Sequence, residues 1–413
     1  MLQLPRLLEA ASTLASLAIM LVLIACSGKI PSRSASPDLS PPAFPDMVRE
    51  LALIPDSARR ARAATALAQD LLGSHTAYLR DSTAFLWYHG PATAVYLAGD
   101  FNGWSPTETA LRRIPQTAFF WTALRCDPAT RVEYKFVVDG QWILDPANPR
   151  TAEGGFGMNS ELRMPAYREP KDIVPSPGLP EGSLDTLQFP SRILGRTFRV
   201  YVYVPTHSPQ RDGRYPSITV GDGNDYISLA HMTTVLDNLI GQNRLPPLIG
   251  VFLDPRTDPG DDLTNTRLTD YWLNARFVNF LAGELRDSLL HRYPISSDPQ
   301  ETAIMGASLG GLLATHVAVL RPEVYALCGA QSPAYWLSND SIFSIVSASA
   351  ELPRKVYLDT GTLHDAQEGA SRMRDMLRAR GSQTLYVEVP EGHNWSNWRA
   401  RLDRLLLFLF GDT

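Results

Sequence analysis

The sequence predicts a mixed α/β protein in which a small β-sandwich precedes a larger domain with a mostly parallel central sheet. From residue 191 onward, strand-like and helix-like runs alternate, which is typical of a parallel sheet covered by helices. From residue 83 to about residue 162, short β-rich runs are separated by turns, which is typical of a sandwich. A Gly-x-Ser-x-Gly motif between a strand and a helix of the larger domain indicates a catalytic site.

The composition is that of a soluble globular protein and gives no sign of a nucleic-acid partner. The chain has 413 residues, of which 44% are hydrophobic and 20% charged, and it is too long for one ordinary domain. Its net charge is -5 and it has no block of Lys and Arg, so we expect no surface that neutralises phosphates. No His and Cys residues have the spacing of metal ligands, and we expect neither a metal nor a cofactor.

The first 26 residues have the pattern of an export signal. Arg6 precedes an apolar run at 14–25, which has about the length of a signal-peptide core and is short for a membrane span. The run ends in Leu-Ile-Ala-Cys26, which resembles a bacterial lipoprotein box and implies a lipid anchor on Cys26. An ordinary cleaved signal and an uncleaved anchor helix stay open. With a Ser- and Pro-rich tether at 27–46, the pattern predicts an exported protein, periplasmic or membrane-anchored in a bacterial envelope.

Two segments are predicted to flank the sandwich. Residues 47–82 form a helical lead-in, because Leu and Ala recur at helical spacing on both sides of a break at Pro55. Residues 165–190 contain six prolines and are predicted as a linker, since such a chain forms neither a continuous helix nor a central strand. Cys126 and Cys328 fall in different predicted domains; a disulfide is possible in an oxidising compartment, and two buried thiols are the favoured interpretation.

The sandwich is predicted over residues 83–164, and two of its segments are specific. VYLAGDFNGW ends at Trp104, and YKFVVDGQW ends at Trp142 and is followed by DPANP. Both resemble the early-set immunoglobulin-like domain found before glycogen-active enzymes and in carbohydrate-binding modules. Flat indole rings suit the apolar faces of sugars. The favoured interpretation is nevertheless structural, with Trp104 closing a turn and Trp142 filling the sandwich. Strands are predicted at 84–88, 94–98, 119–124, 132–139 and 142–144.

The larger domain is predicted over residues 191–413, which is long enough to bury a substantial core. Helical spacing of Phe and Leu at 277–289 and an apolar run at 312–320 predict two of its helices. Strands are predicted at 199–204, 217–221, 248–253, 302–305, 326–330, 355–359 and 384–389.

Gly306-Ala-Ser308-Leu-Gly310 is the predicted chemical centre. The strand at 302–305 must turn abruptly into a helix here, and the flanking glycines let the backbone do so without a side-chain clash. The turn presents the Ser308 hydroxyl at the carboxyl end of the sheet. The N–H of Leu309, at the start of the helix, is a candidate donor to a tetrahedral oxyanion.

A serine hydroxyl needs a base and a carboxylate that orients the base. His393, in Gly-His-Asn-Trp after the last predicted strand, is the candidate base. Asp365 lies on the loop after the strand at 355–359 and is the candidate acid, while Asp359 and Glu368 stay open. The competing role for Asp365 is to cap the helix that begins near residue 366.

The loop after the strand at 217–221 is expected to supply the second oxyanion donor, either Gly223 or Asn224, since small residues let an amide approach the substrate. A tight structural turn is the alternative. Candidates for an aromatic substrate pocket, which would suit a catecholate or feruloyl group, are Arg256, Tyr271, Trp272, Trp336 and Trp395.

Several motifs of the larger domain are specific: Tyr215-Pro with Asp222-Gly, GASLGG around Ser308, Gln331-Ser-Pro and Gly-His393-Asn-Trp. Together they resemble one esterase family of the α/β-hydrolase fold, which includes enterochelin esterases and some feruloyl esterases. The resemblance implies a serine esterase that acts through an acyl-enzyme on a small-molecule ester, either a catecholate siderophore ester or a feruloyl or acyl sugar ester. The usual Gly-Thr-x-acid has one extra residue before Asp365. A glycan-binding surface lipoprotein with an inactive hydrolase domain is the alternative.

Overall fold

The computed structural model describes residues 43–72, 77–208, 213–256 and 265–411. The predicted signal peptide with Cys26, and the tether up to residue 42, lie outside these residues. Within the described ranges, no helix is both long and apolar enough to cross a membrane. Residues from Phe44 onward group into one compact unit.

Two helices, α1 (Phe44–Leu53) and α2 (Ser57–Leu72), precede the sandwich. Pro55 lies in the break between them, and the carboxylate of Asp56 accepts a hydrogen bond from the Arg59 amide at 2.6 Å in the first turn of α2. The helices pack on the outer face of the sandwich, around Phe85 and Phe119. The predicted helical segment, 47–82, extends too far at its C-terminal end: α2 ends at Leu72, and strand β1 (Tyr78–Arg80) follows within the predicted range.

The sandwich consists of a four-stranded and a six-stranded antiparallel sheet. Side chains alternate along the strands, so that Leu86 enters the inner core while Phe85 faces the helices. The sequence did not predict the hairpin β9–β10. After β1, the strands are β2 (Thr83–His89), β3 (Val95–Gly99), β4 (Thr109–Ala110), β5 (Arg112–Arg113), β6 (Phe119–Arg125), β7 (Arg131–Val138), β8 (Gln141–Ile143), β9 (Thr151–Gly154) and β10 (Gly157–Arg163).

The larger region is built on an eight-stranded sheet with the order β11-β12-β14-β13-β15-β16-β17-β18. The six strands from β13 to β18 are parallel. The apolar residues of β13 to β17 are buried because helices cover both faces, whereas those of the edge strand β18 are mostly half-buried. The bounds are β11 (Ser183–Ser191), β12 (Arg196–Val204), β13 (Ser217–Gly221), β14 (Ile249–Leu253), β15 (Thr302–Ala307), β16 (Leu327–Gln331), β17 (Lys355–Gly361) and β18 (Gln383–Val389).

The last residues of the predicted linker are not a linker. Residues 183–191 form β11, which pairs antiparallel with β12 along its whole length. Pro190 fits there because β11 is an edge strand, where a missing N–H need not interrupt a ladder on the open side.

The helices of the larger region cover the two faces of its sheet. α8 is apolar on all sides and almost wholly buried, as expected of a helix packed between the sheet and other helices. The bounds are α3 (Gly223–Ser228), α4 (Met232–Gly241), α5 (Arg267–Tyr271), α6 (Ala275–Asn279), which runs through a π-helical turn at Phe280–Leu285 into α7 (Arg286–Arg292), α8 (Leu309–Leu320), α9 (Ser341–Ala348), α10 (Gln367–Ala379), α11 (Trp395–Arg399) and α12 (Leu402–Phe410).

Cys126 and Cys328 are both free thiols. Cys328 is buried, as predicted, whereas Cys126 is only half-buried at the edge of the sandwich core, so the prediction of two buried thiols was wrong for Cys126. Burial raises the pKa of the Cys126 thiol to about 11.

Candidate active site

Ser308 lies in the sharp turn between β15 and α8. Its backbone has φ 57° and ψ -120°, a strained conformation for a residue with a side chain. Gly306 permits this turn, because a Cβ there would lie 2.6 Å from the backbone carbonyl of Gly310. The Ser308 amide donates to the Gln331 carbonyl at 2.9 Å, and the Ala334 amide donates to the Ser308 carbonyl at 2.9 Å. Both the amide and the carbonyl of Ser308 are thereby hydrogen-bonded to the end of β16 and the loop that follows it.

His393 and Asp365 are brought together by the loops that follow β18 and β17. Nδ1 of His393 lies 2.7 Å from Oδ1 of Asp365. A carboxylate only accepts hydrogen bonds, so Nδ1 carries the hydrogen and Nε2 is left for another partner. The Asp365 side chain is fully buried, whereas the imidazole is 29% exposed.

The second oxygen of Asp365 is held by two donors. The Ser332 hydroxyl donates to Oδ2 at 2.7 Å, and the Gly361 amide donates to it at 2.5 Å. Ser332 in turn accepts from Nε1 of Trp398 at 2.9 Å, and the Trp398 ring packs edge-on against the imidazole, with 5.0 Å between ring centres. In this loop, which has one residue more than the family pattern, His364 has a left-handed backbone with φ 48°.

The other two candidate acids lie elsewhere. Asp359 is buried beneath the site, where it accepts from the Gln331 side chain at 3.0 Å and from the Ser332 amide at 3.2 Å. Burial, with a smaller contribution from the charge of Asp365, raises the pKa of Asp359 to about 7. Glu368 is exposed in the first turn of α10. The helix-capping alternative for Asp365 does not hold, because the residue at the cap position is Ala366.

The predicted oxyanion donors differ in their placement. Leu309 is the first residue of α8 and directly follows Ser308. Gly223 and Asn224 begin α3 after the left-handed Asp222. None of the three candidate donors, Leu309 included, is among the described residues that line the cavity next to Ser308. Gly223 packs closely on β14, since a Cβ there would lie 2.5 Å from the Phe252 carbonyl carbon. The glycine is therefore explained by packing, and the donor role of this loop stays a prediction.

Ser308 and His393 line one cavity of about 610 Å³, which we call the shared cavity because both regions of the chain form its walls. The larger region contributes Asp222, Arg256, Arg267, Ser308, His393 and Trp395. The sandwich contributes Asp100, Trp104, Lys135, Trp142, Phe156 and Asn159.

Two arginines, Arg256 and Arg267, are among the described residues of the shared cavity, and both are ion-paired. Arg267 makes two hydrogen bonds of 2.7 Å to the carboxylate of Asp222. Arg256 binds Asp225 at 2.6 Å and Asp254 at 2.9 Å. Arg256 could be predicted from the sequence, whereas the Arg267–Asp222 pair could not, because nothing along the chain brings residue 267 near the end of β13.

The predicted aromatic pocket is only partly assembled. Trp395 lines the shared cavity and is buried against Tyr226. Trp336 is 57% exposed, and its ring centre lies 5.8 Å from that of His393. Tyr271 is buried, and its hydroxyl accepts from the Asp222 amide at 2.9 Å, while Trp272 is half exposed; neither is among the described residues that line the cavity.

The interpretation that Trp142 fills the sandwich was wrong. Trp142 is 46% exposed, and it lies on β8, where its indole turns away from the core into the shared cavity. Trp104 does close a turn, with φ 63°, but it also lines the cavity, and its ring stacks on that of Trp142 with 6.4 Å between ring centres and 24° between ring planes. Phe156, at the tip of the β9–β10 hairpin, is fully exposed beside them.

The parallel sheet with helices on both faces, and the Gly-x-Ser-x-Gly turn at the carboxyl end of a central strand, define an α/β-hydrolase. The family described as "Putative esterase" matches residues 191–409, and the chain belongs to this family. Family and fold support hydrolysis of carboxylic esters. Residues 82–161 match a second family, described as the glycogen recognition site of AMP-activated protein kinase, in agreement with the resemblance seen in the sequence.

Individual proteins are similar to parts of this chain. The uncharacterized protein YbbA of Bacillus subtilis is 24% identical over 188 residues, which are 44% of this chain and 74% of that protein. An iron(III) enterobactin esterase of Escherichia coli O6:H1 is 27% identical over 198 residues, 48% of this chain and 47% of the relative. The crystal structure of the enterobactin esterase from Shigella flexneri has the same fold, with a TM-score of 0.65 and 22% identity over 80% of this chain and 94% of that one.

Proposed function

We propose that this protein is a serine esterase in which Ser308 is the nucleophile, His393 the general base and Asp365 the residue that orients the base. The observation that carries the proposal is the 2.7 Å bond between His393 and Asp365, at a cavity that Ser308 also lines. Burial lowers the pKa of His316, in the helix after Ser308, to about 4, which makes it a poor alternative base.

The steps follow from the positions of the protons. Nε2 of His393 accepts the Ser308 proton as the hydroxyl attacks the ester carbonyl, and the Leu309 amide stabilises the resulting oxyanion. The imidazolium then gives its proton to the departing alcohol, which leaves an acyl group on Ser308. Water repeats the sequence and releases the acid. Asp365 keeps its negative charge throughout and stabilises the imidazolium.

The sandwich side of the shared cavity supports an ester of a carbohydrate as the substrate. The nearly parallel indoles of Trp104 and Trp142 offer flat apolar surfaces beside the polar side chains of Lys135 and Asn159. This combination suits a sugar ring, which has an apolar face and a rim of hydroxyls. The match of this region to a glycogen recognition domain points the same way. The glycan part of such an ester would lie on the sandwich while its acyl group meets Ser308.

A catecholate siderophore ester is the second candidate, and the similarity to enterobactin esterases favours it. A ferric catecholate complex carries negative charge and would gain from unpaired cations in the cavity. Arg256 and Arg267 are already neutralised by aspartates, which leaves Lys135 as the cation without such a partner among the described residues of the cavity wall. The charge distribution therefore favours the uncharged sugar ester.

The serine mechanism is tested with a fluorophosphonate probe, which labels activated serines. We expect the wild-type chain to be labelled and Ser308→Ala to lose both labelling and hydrolysis of p-nitrophenyl acetate. Equal labelling of both forms would contradict the mechanism. Absence of labelling and of activity in the wild type would favour the alternative of a glycan-binding protein without catalysis.

The substrate proposal is tested by comparing kcat/KM for an acetylated or feruloylated oligosaccharide with that for a catecholate trilactone. We expect Trp142→Ala to lower kcat/KM for the oligosaccharide about tenfold, which corresponds to about 1.4 kcal/mol of lost stacking. Hydrolysis of p-nitrophenyl acetate should change little. Trp272→Ala, at a half-exposed tryptophan elsewhere, is the matched control. Preference for the trilactone by 100-fold would replace the sugar ester with the second candidate.

We also propose that the chain is exported and anchored through a lipid on Cys26. This rests on the sequence pattern alone, and incorporation of labelled palmitate into the wild type but not into Cys26→Ala tests it.

A further inference from the structure

One turn of the sandwich contacts both loops that carry the candidate catalytic pair. This turn, residues 100–103, is a short 3-10 helix that ends at Gly103 with φ 58° and will be called the sandwich turn. It is held in shape by Asn102, whose side chain accepts from the Gly99 amide at 3.0 Å and donates to the Leu97 carbonyl at 2.9 Å. The loop at 392–394 will be called the base loop, and the loop at 361–365 the acid loop.

Asp100 contacts the base loop on both sides of His393. Its Oδ2 accepts from the side-chain amide of Asn394 at 3.0 Å. On the other side, the backbone of Gly392 lies directly against the carboxyl group, because a Cβ at that position would be 2.3 Å from Cγ of Asp100. Asp100 is itself fixed within the sandwich by the amide of Glu133, at 2.7 Å, and it is only 3% exposed.

Asn394 transmits this contact to the backbone next to His393. Its side-chain oxygen accepts from the Asn397 amide at 3.0 Å and so caps α11. The same oxygen lies 3.4 Å from Nη1 of Arg131, a buried sandwich residue that also pairs with Glu161. Both polar atoms of the Asn394 side-chain amide are therefore held. Its nitrogen is bound by Asp100 of the sandwich, and its oxygen is bound by Asn397 and Arg131.

The sandwich also holds the acid loop. Leu363 packs against the hydrophobic core of the sandwich. Nε2 of His364 lies 3.2 Å from the Phe101 carbonyl in the sandwich turn, and Gly103 faces the same imidazole. These two residues immediately precede Asp365, so a single turn restrains the approach of both partners of the His393–Asp365 bond.

We propose that the sandwich turn is a positioning element of the esterase site, in which Asp100 acts as a positioning residue that holds His393 through Asn394. The proposal rests on the serine mechanism proposed above. It gives the sandwich a part in the chemical step in addition to any part in binding substrate. Displacement of a catalytic group by about 1 Å costs on the order of 100-fold in rate, so loss of this contact should be visible in kcat.

The test is the kinetics of Asp100→Ala in the full chain, with p-nitrophenyl acetate as a substrate too small to need the sandwich surface. We expect kcat per active site, counted by fluorophosphonate titration, to fall about 10- to 100-fold, with KM within about twofold of the wild-type value. Asp100→Asn keeps the shape of the side chain and one acceptor oxygen, so its kcat should lie between those of the wild type and Asp100→Ala. It also serves as the test should Asp100→Ala not fold.

Asp145→Ala is the matched control for loss of a buried carboxylate from the sandwich. Asp145 is 7% exposed and accepts from the Tyr134 hydroxyl at 2.6 Å and the Ala147 amide at 2.8 Å, away from both loops. We expect this variant to be less stable but to keep the wild-type kcat per titrated site. The proposal is overturned if Asp100→Ala behaves in the same way as Asp145→Ala.

A double-mutant cycle with Asn394→Ala tests the route of the effect. If Asp100 acts through Asn394, the loss of kcat in the double variant should be close to that of Asn394→Ala alone, whereas multiplicative losses would contradict this route. Ser308→Ala separates the two proposals. Activity that survives in Ser308→Ala refutes the serine mechanism, while loss there with unchanged kcat in Asp100→Ala refutes the positioning role alone.

Discussion

At the scale of single residues, the surroundings of three carboxylates decide which one faces the imidazole. Asp365 is buried with one oxygen on His393 and the other on Ser332 and Gly361. Asp359 is occupied by Gln331 and the Ser332 amide, and Glu368 is exposed on α10. The three differ by a few positions along the chain but have different partners, so their chemical roles differ.

Asp365→Ala should lower kcat by about 1,000- to 10,000-fold, because the imidazole loses the group that fixes its tautomer and stabilises its charged form. KM should change much less. The measurement is steady-state hydrolysis of p-nitrophenyl acetate after the fold has been verified by circular dichroism. Glu368→Ala is the control and should retain wild-type activity. A loss of kcat in Glu368→Ala comparable to that in Asp365→Ala would show that the assignment of Asp365 as the orienting acid is wrong.

At the scale of elements, the site depends on how β15 turns into α8. The backbone of Gly306 and that of Gly310 pass so close that only hydrogen fits between them. Strand β16 anchors the same turn through the hydrogen bonds of its Gln331 carbonyl and of Ala334, which follows it. The strained Ser308 conformation is stabilised by this packing, since a serine alone does not favour a positive φ.

Gly306→Ala should lower the free energy of unfolding by about 1–3 kcal/mol, because the added methyl group meets backbone that must move. The displacement of α8 should also lower kcat. Gly283→Ala is the control: a Cβ there meets nothing within 4 Å, so it should raise the free energy of unfolding by about 0.4–1 kcal/mol. Urea denaturation measures both, and equal effects of the two substitutions would contradict the prediction.

At the scale of the whole molecule, two buried carboxyl groups link stability to pH: Asp100, where the sandwich meets the larger region, and Asp359, beneath the candidate active site. Burial and the neighbouring Glu133 raise the pKa of Asp100 to about 7, and burial raises that of Asp359 to a similar value. In the unfolded chain both carboxyls titrate near 3.8. Between these two pH values the folded protein holds protons that the unfolded chain has released, so these groups stabilise the fold at low pH.

The contribution of Asp359 to the free energy of unfolding should be fully present below pH 4 and should be lost as the pH rises through about 7. We therefore expect the Tm of the wild type, relative to that of Asp359→Asn, to decline from pH 5 to pH 8, because the amide does not titrate. Differential scanning calorimetry at several pH values measures this difference. Parallel Tm curves for the two proteins would show that Asp359 does not bear the shifted pKa.

Much of the fold was predictable from the sequence because its signals are local. Alternation of apolar runs identified the strands of the parallel sheet, and glycines around Ser308 identified the turn. The base and acid loops could be located because each directly follows a predicted strand. The edge strand β11 was missed because Pro190 argues against a strand unless its edge position is known.

What the sequence determined by itself was the class of fold, the esterase family and the residues at the ends of the strands. Tertiary structure alone decided which carboxylate meets His393, that both cavity arginines are paired, and that Trp142 faces the cavity instead of the sandwich core. The reason is physical: strand and turn propensities act over a few residues, whereas these contacts join segments up to 294 positions apart, as in the bond between Asp100 and Asn394.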